Sequence, residues 1–280
     1  MMIPFKLGSL SILSEPINYG GIYSTIIANY YWRMVDSLKK DDVVLDGGAN
    51  IGTFSLAISS RVRRVIAVEP NPRNYYFLVE NIEKNKITNV VPINAALTDR
   101  IGYIKFEGNG ETGHISSDGI DVASTTIDEI ENTLGVNFSA LKLDIEGGEP
   151  AAILGGAVHS MEHVSRIIFE LDENQLKNTR SSLKSISRDY TYDEMEEYLS
   201  KLNFELYFYD PDSNRYEIAL KNIRSGNIGI MDIALNEVIH GFWYTRKTIR
   251  DGFSSLARKR TGEAFKFGMV YASRETHVNV

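Results

Sequence analysis

Apolar residues along this 280-residue chain fall into short continuous runs at 43–45, 65–68, 90–97, 141–145 and 167–171. The runs are rich in β-branched residues. They predict strands covered on both faces, as in a parallel sheet. Between them, apolar residues recur at helical spacing over 53–61, 72–85 and 150–161, with Pro150 suited to a first helical turn. Residues 43–175 therefore alternate strand and helix, which predicts an α/β fold. Ahead of this stretch, residues 24–38 are expected to form a helix burying Ile26, Ile27, Tyr30 and Met34 on one face. Behind it, Tyr192, Met195, Leu199 and Leu202 mark another helical face, and 204–209 and 267–271 read as two further strands. The connection 210–266 is long enough to be a lid or an inserted element. The expected division is a cap segment at 1–42, a core at 43–175, and a C-terminal part at 176–280 that completes the sheet.

Composition narrows the chemistry. The chain has no cysteine, which excludes disulfide frameworks, Cys-ligated zinc, iron–sulfur clusters and thiol nucleophiles. A net charge of −7 argues against a generally basic nucleic-acid binder, and no nucleic acid is expected as partner. One segment runs against the average. Residues 243–266 hold Arg246, Lys247, Arg250, Arg258, Lys259, Arg260 and Lys266 against Asp251 and Glu263, with Ile249, Phe253 and Leu256 at helical spacing. A basic amphipathic helix of this kind rests on anionic membrane, clamps an anionic substrate, or simply packs on the core with a solvated face. The first residues lack the form of a secretory signal, and no run of about 18 apolar residues occurs. A cytoplasmic location is expected, with at most peripheral membrane contact. Oligomeric state is not legible.

The segment 43–56, VVLDGGANIGTFSL, is a strand, a glycine turn and a helix start. Its glycines, Gly47, Gly48 and Gly52, do not have the spacing of a dinucleotide fingerprint. Thr53 stands where a P-loop requires lysine. What remains is an acidic residue, Asp46, ending the strand, then Gly48, Asn50 and Gly52 at two-residue intervals. That suits a cofactor with an ammonium group, such as the amino-acid end of S-adenosylmethionine (SAM). The next strand ends at Glu69-Pro70-Asn71, and a carboxylate about 20 residues after the glycine turn is placed to accept ribose hydroxyls.

These motifs resemble those of class I SAM-dependent methyltransferases. The block Leu141-Lys142-Leu143-Asp144-Ile145-Glu146-Gly147-Gly148-Glu149, with Gly155-Gly156 after it, resembles that of the FkbM family. Ser124-Thr125-Thr126-Ile127-Asp128 and the strand ending at Glu170 are similar to further elements of that family, while the His that many relatives place after this Glu is replaced by Leu171-Asp172-Glu173. The resemblance covers about 40–175. It implies a Rossmann-like seven-stranded sheet with a reversed last strand, SAM as cofactor, and O-methylation of a saccharide, a lipid-linked glycan or a secondary metabolite. A nucleic-acid methyltransferase and a SAM-binding assembly protein are the alternatives.

The resemblance also distributes roles. Gly48, Asn50 and Gly52 would line the methionine part of SAM, and Asp46 would support the loop or meet the ammonium. Glu69 would bind ribose. Pro70, Asn71, Ala95 and Ala96 would border adenine. Asp144, Glu146 and Glu149 are expected where the fourth strand ends. Asp144 and Glu146 point the same way if the strand's two-residue period persists. One of them is a candidate general base, or the pair holds a divalent cation, and Asp144 also fits plain cofactor positioning. Glu149 is either an acceptor contact or the acidic residue of a helix N-terminus. His114, in a glycine-rich loop, is a candidate base or a solvated loop residue. Glu170 and Asp172 are candidates for touching the acceptor.

Overall fold

A computed structural model gives the fold and describes residues 3–7, 9–14, 31–108, 113–172, 175–177, 186–209 and 267–274. Residues 24–30 of the helix expected over 24–38, the connection 210–266 and its basic run 243–266 lie outside the described residues.

In chain order, an antiparallel hairpin, β1 (Ile3–Leu7) and β2 (Leu10–Ser14), comes first. A short helix, α1 (Trp32–Ser37), leads into β3 (Val43–Gly47), α2 (Thr53–Ile58) and β4 (Arg64–Val68). Then come α3 (Pro72–Lys84), β5 (Val90–Ile93), β6 (Ala96–Leu97), β7 (Gly102–Glu107), β8 (His114–Ile115) and β9 (Ile120–Thr125). The chain continues through α4 (Ile127–Leu134), β10 (Ala140–Leu143), α5 (Glu149–Leu154) and β11 (Arg166–Asp172). It closes with α6 (Tyr192–Lys201), β12 (Glu205–Tyr209) and β13 (Phe267–Ser273).

Seven strands form the main sheet in the order β12-β13-β11-β10-β3-β4-β5. Strands β5, β4, β3, β10 and β11 are parallel, and β13 runs antiparallel to both β11 and β12. This is the seven-stranded α/β sheet with a reversed last strand that the resemblance implies. Every side chain of β3 and β10 is buried, as expected for central strands covered on both faces. Two apolar clusters fill the two faces. One includes Leu45, Ile66, Leu143 and Phe169; the other includes Val44, Val65, Ile168 and Tyr271. Strand order reverses between β3, which leads to β4 and β5, and β10, which leads to β11. In such sheets the ligand crevice opens at the carboxyl ends of the strands flanking that switch point.

Three features depart from the sequence expectation. The run 90–97 is two strands in two sheets: β5 ends at Ile93, and β6 joins a separate four-stranded sheet, β6-β9-β7-β8. Pro92 is tolerated because β5 is an edge strand. Asn94 then turns the chain by donating from Nδ2 to the carbonyls of Glu69 (2.7 Å) and Pro70 (3.1 Å). The helix expected over 150–161 stops at Leu154 and resumes as a 3₁₀ turn, Ser160–Glu162. A Cβ at Gly156 would lie 2.3 Å from the Thr98 carbonyl oxygen, so the backbone passes there without a side chain. The hairpin β1–β2 was not foreseen. Its second strand is pinned to α3 by two asparagines one turn apart, Asn81 Oδ1 accepting from Leu13 N (2.6 Å) and Asn85 Oδ1 from Ser11 N (2.7 Å). Asn81 Nδ2 also reaches the Ile51 carbonyl, 2.9 Å away, so the hairpin, α3 and the glycine turn brace one another.

Among the described residues, no helix is long and apolar enough to cross a membrane.

Candidate active site

The strand register decides what can meet. Leu143 pairs with Gly47 and with Phe169; Gly47 pairs with Val68, and Val68 with Ile93. The next residue on each strand therefore stands on one rim: Gly48, Glu69, Asn94, Asp144 and Glu170. Gly48 and Asp144 follow the two strands at the switch point and touch. A Cβ on Gly48, whose φ is +71°, would fall 1.9 Å from the Asp144 carbonyl oxygen. Only glycine fits there.

On the β3–β4 side, the loop is held from below. Asp46 is fully buried; its Oδ2 accepts from Ser55 Oγ at 2.6 Å, and its Oδ1 lies 3.1 Å from Lys142 Nζ. Asn50 adopts a left-handed conformation (φ +51°), and its N–H donates to Glu69 Oε2 at 2.8 Å. Glu69 Oε1 accepts from Asn71 N at 2.9 Å and from Asn74 Nδ2 at 3.4 Å. Burial raises the Glu69 carboxyl to about 7, against these hydrogen bonds, which favour the charged form. Asn71 caps α3, its Oδ1 accepting from Arg73 N at 2.9 Å, while its Nδ2 lies 3.4 Å from the Gly108 carbonyl. Pro70 is half-buried beside it, and Ala95 and Ala96 are buried where the chain leaves the rim.

On the β10–β11 side, Asp144, Glu146 and Glu170 converge, with one carboxylate oxygen from each within 4.8 Å of the others. The two-residue strand period does not persist to deliver them. β10 ends at Leu143, and the chain turns through Glu146 at φ +56°. The Tyr31 hydroxyl donates to Asp144 Oδ2, and Gln175 Nε2 donates to Glu146 Oε2. Burial raises the Glu170 carboxyl well above the ordinary range, and Asp144, then Glu146, Glu149 and Asp172, push it further. Three carboxylates this close repel one another, a repulsion that a shared proton or cation would relieve. No sequence signal pointed to Tyr31, and Gln175 lies beyond the recognisable blocks. Lys142 did leave a signal, because a charge inside a buried strand requires a partner.

The remaining candidates fall elsewhere. Glu149 is fully buried at the start of α5, with Oε1 accepting from Ile145 N and Oε2 from Tyr192 Oη, each at 2.8 Å. Asp172 sits at the end of β11, where its Oδ1 accepts from Gln175 N at 3.4 Å. His114 is in β8 opposite Glu107, in the second sheet, and is not one of the three converging groups.

Burial raises the Glu149 carboxyl to about 7. A carboxyl raised on folding binds its proton more tightly in the folded chain, so the stability it contributes is full below about pH 4.5 and is lost as pH rises through about 7. The loss amounts to roughly 3 kcal/mol. Glu149→Gln should remove that share of the pH dependence. Denaturant unfolding at pH 5 and pH 8 checks it, and equal slopes for variant and wild type would refute the assignment.

The profile of the TRM5/TYW2 methyltransferase domain matches residues 21–108, which carry the glycine turn and Glu69. Hexuronic acid methyltransferase AglP of Haloferax volcanii is 31% identical over 191 residues, covering 60% of this chain and 78% of that protein. The chain belongs to the class I SAM-dependent methyltransferases. It also matches a tRNA(Phe) (4-demethylwyosine(37)-C(7)) aminocarboxypropyltransferase of Methanocaldococcus jannaschii, 35% identical over 86 residues, 27% of this chain and 34% of that one. The crystal structure of methyltransferase FkbM from Methylobacillus flagellatus aligns with a TM-score of 0.44 at 18% identity, covering 70% of this methyltransferase and 47% of that chain. Its cofactor is SAM. The chain fits that group: the turn after β3 runs through left-handed Gly48, Asn50 and Gly52, and a buried carboxyl, Glu69, stands at the end of the next strand.

Proposed function

We propose that this methyltransferase is an FkbM-like O-methyltransferase acting on a hydroxyl of a saccharide. The convergence of Asp144, Glu146 and Glu170 beside Gly48 carries this proposal. When bound, SAM supplies an electrophilic methyl group on sulfur. A sugar hydroxyl is a poor nucleophile until it gives up its proton, and Asp144 is the group proposed to take it. Tyr31 holds one oxygen of Asp144, and Gln175 holds Glu146. Glu170 retains a proton, or the three carboxylates share a divalent cation. If the cluster holds a proton and no cation, its remaining negative charge repels a uronate carboxylate, which needs no base, and favours a neutral hydroxyl, which does need one.

On the cofactor side, Gly48, Asn50 and Gly52 are assigned to the methionine end of SAM. Glu69 is assigned to ribose, and Pro70, Asn71, Ala95 and Ala96 to the border of adenine. Glu149, with both oxygens engaged, is assigned to holding the 144–148 turn, and Asp172 to the outer edge of the acceptor side. His114 has no part in the proposed chemistry. Residues 43–175 form the proposed cofactor unit, with the parts before and after it shaping the acceptor side.

A saccharide acceptor is supported by AglP, whose similarity extends over 191 residues. The tRNA-enzyme reading rests on the TRM5/TYW2 match, which ends at residue 108, before β10 and all three carboxylates. Methyl-labelled SAM, offered with hexuronic-acid oligosaccharides, neutral oligosaccharides and unmodified tRNA, should label a saccharide hydroxyl. Label in tRNA alone would sink the proposal. Removing metals with EDTA and restoring Mg²⁺ then separates the two ways of balancing the carboxylates: activity that ignores both treatments means a shared proton.

A further inference from the structure

Lys142 is 3% exposed and takes no part in the chemistry above. Its ammonium is 3.1 Å from Asp46 Oδ1 and donates to the carbonyls of Gly47 (3.1 Å) and Gly48 (2.9 Å). It also lies 5.3 Å from the centroid of the Tyr31 ring, whose hydroxyl holds Asp144. Burial alone would pull the ammonium down. Asp46 first, then Asp144 and Glu69, outweigh it and hold its pKa above the ordinary lysine value. An ion pair serving only the core would be replaceable by two apolar residues without loss. Here three of the ammonium's contacts are consecutive residues, Asp46, Gly47 and Gly48, at the mouth of the crevice.

We propose that Lys142 is the positioning residue of the cofactor loop. It fixes the carbonyl planes of Gly47 and Gly48, so the turn is ordered before SAM arrives, and it neutralises Asp46. A loop ordered in advance does not have to be ordered at the expense of binding energy. Through the Tyr31 ring the same ammonium links the cofactor loop to Asp144 on the acceptor side. The proposal rests on the assignment of Gly48, Asn50 and Gly52 to the methionine end of SAM.

Lys142→Met alone would leave Asp46 buried without a partner, and such a defect destabilises any fold. The informative variant is Asp46→Asn/Lys142→Met, which has no buried charge at this point. It should melt within a few degrees of wild type and bind SAM at least about tenfold more weakly by calorimetry. Asp46→Asn alone keeps the ammonium on the two carbonyls but without its nearest carboxylate; it should melt below wild type and, while folded, bind SAM more tightly than the double variant. Wild-type SAM affinity in the double variant would overturn the proposal, because Lys142 would then only balance Asp46. So would a loss in Asp46→Asn as large as in the double variant, or a double variant that does not fold. Gly48→Ala tests the underlying loop assignment separately: unchanged SAM affinity there would withdraw that assignment whatever Lys142 does.

Discussion

Asp144→Asn is expected to lower turnover by about a thousandfold while leaving SAM affinity within about threefold. Asn preserves the shape of the side chain and can still accept the Tyr31 hydrogen bond, so the turn after β10 should stay in place. What is lost is a basic oxygen on the rim beside Gly48. The variant also removes one negative charge from the cluster, which relieves part of the repulsion on Glu170. If Glu170 were the true base, the same substitution would make it a weaker base and turnover would fall far less. Steady-state methyl transfer to the acceptor found among the oligosaccharides, measured alongside SAM calorimetry, separates the cases. Full activity would remove Asp144 from the chemistry. A parallel fall in SAM affinity would reassign it to cofactor binding, the other role its sequence position allows.

How far the site could be read in the sequence follows from how local its determinants are. Asp46, Gly48 and Glu69 each end a strand that local composition already marks, and parallel pairing then places them side by side. The helix that starts at Pro72 is likewise marked by local pattern, and Asn71 caps it. Residues joined only by tertiary contact left little trace. Tyr31 reaches Asp144 across 113 positions, and Gln175 reaches Glu146 from beyond β11. The hairpin β1–β2 is fixed by Asn81 in α3 and Asn85 at its C-terminal end, whose spacing by one turn shows its purpose only once β2 lies alongside. The run 90–97 reads as one strand because apolar pattern alone does not reveal the turn made by Asn94. Glu149 reads in the sequence as either an acceptor contact or the acidic residue of a helix N-terminus, and it does open α5. Its burial beneath Tyr192 depends on α6, more than forty positions away, packing over α5.

The second large effect belongs to Glu69. Glu69→Ala should weaken SAM binding by at least roughly a hundredfold, since each hydrogen bond to a charged acceptor contributes about 1.5–3 kcal/mol and ribose offers two hydroxyls. The substitution also strips partners from the N–H groups of Asn50 and Asn71, loosening the loop. Its pH dependence is the sharper test. Ribose hydroxyls donate best to a carboxylate, yet burial holds Glu69 at about 7 in the free protein. Below that pH, binding must expel a proton, so affinity should fall by nearly tenfold per pH unit, reaching about thirtyfold between pH 8.5 and 5.5. Folding has the opposite slope. A carboxyl raised by burial supports the fold below about pH 4.5, and that support is lost as pH rises through about 7. The free protein should therefore lose stability over the interval in which SAM binding strengthens, and the rise in melting temperature produced by saturating SAM should grow with pH. Glu69→Gln cannot titrate, so its SAM affinity should lack the wild-type dependence. Calorimetry in buffers of different ionisation enthalpy counts the expelled proton directly. Near pH 6 the wild type should release close to one more proton than Glu69→Gln, and equal release by the two proteins would mean that Glu69 does not receive the ribose.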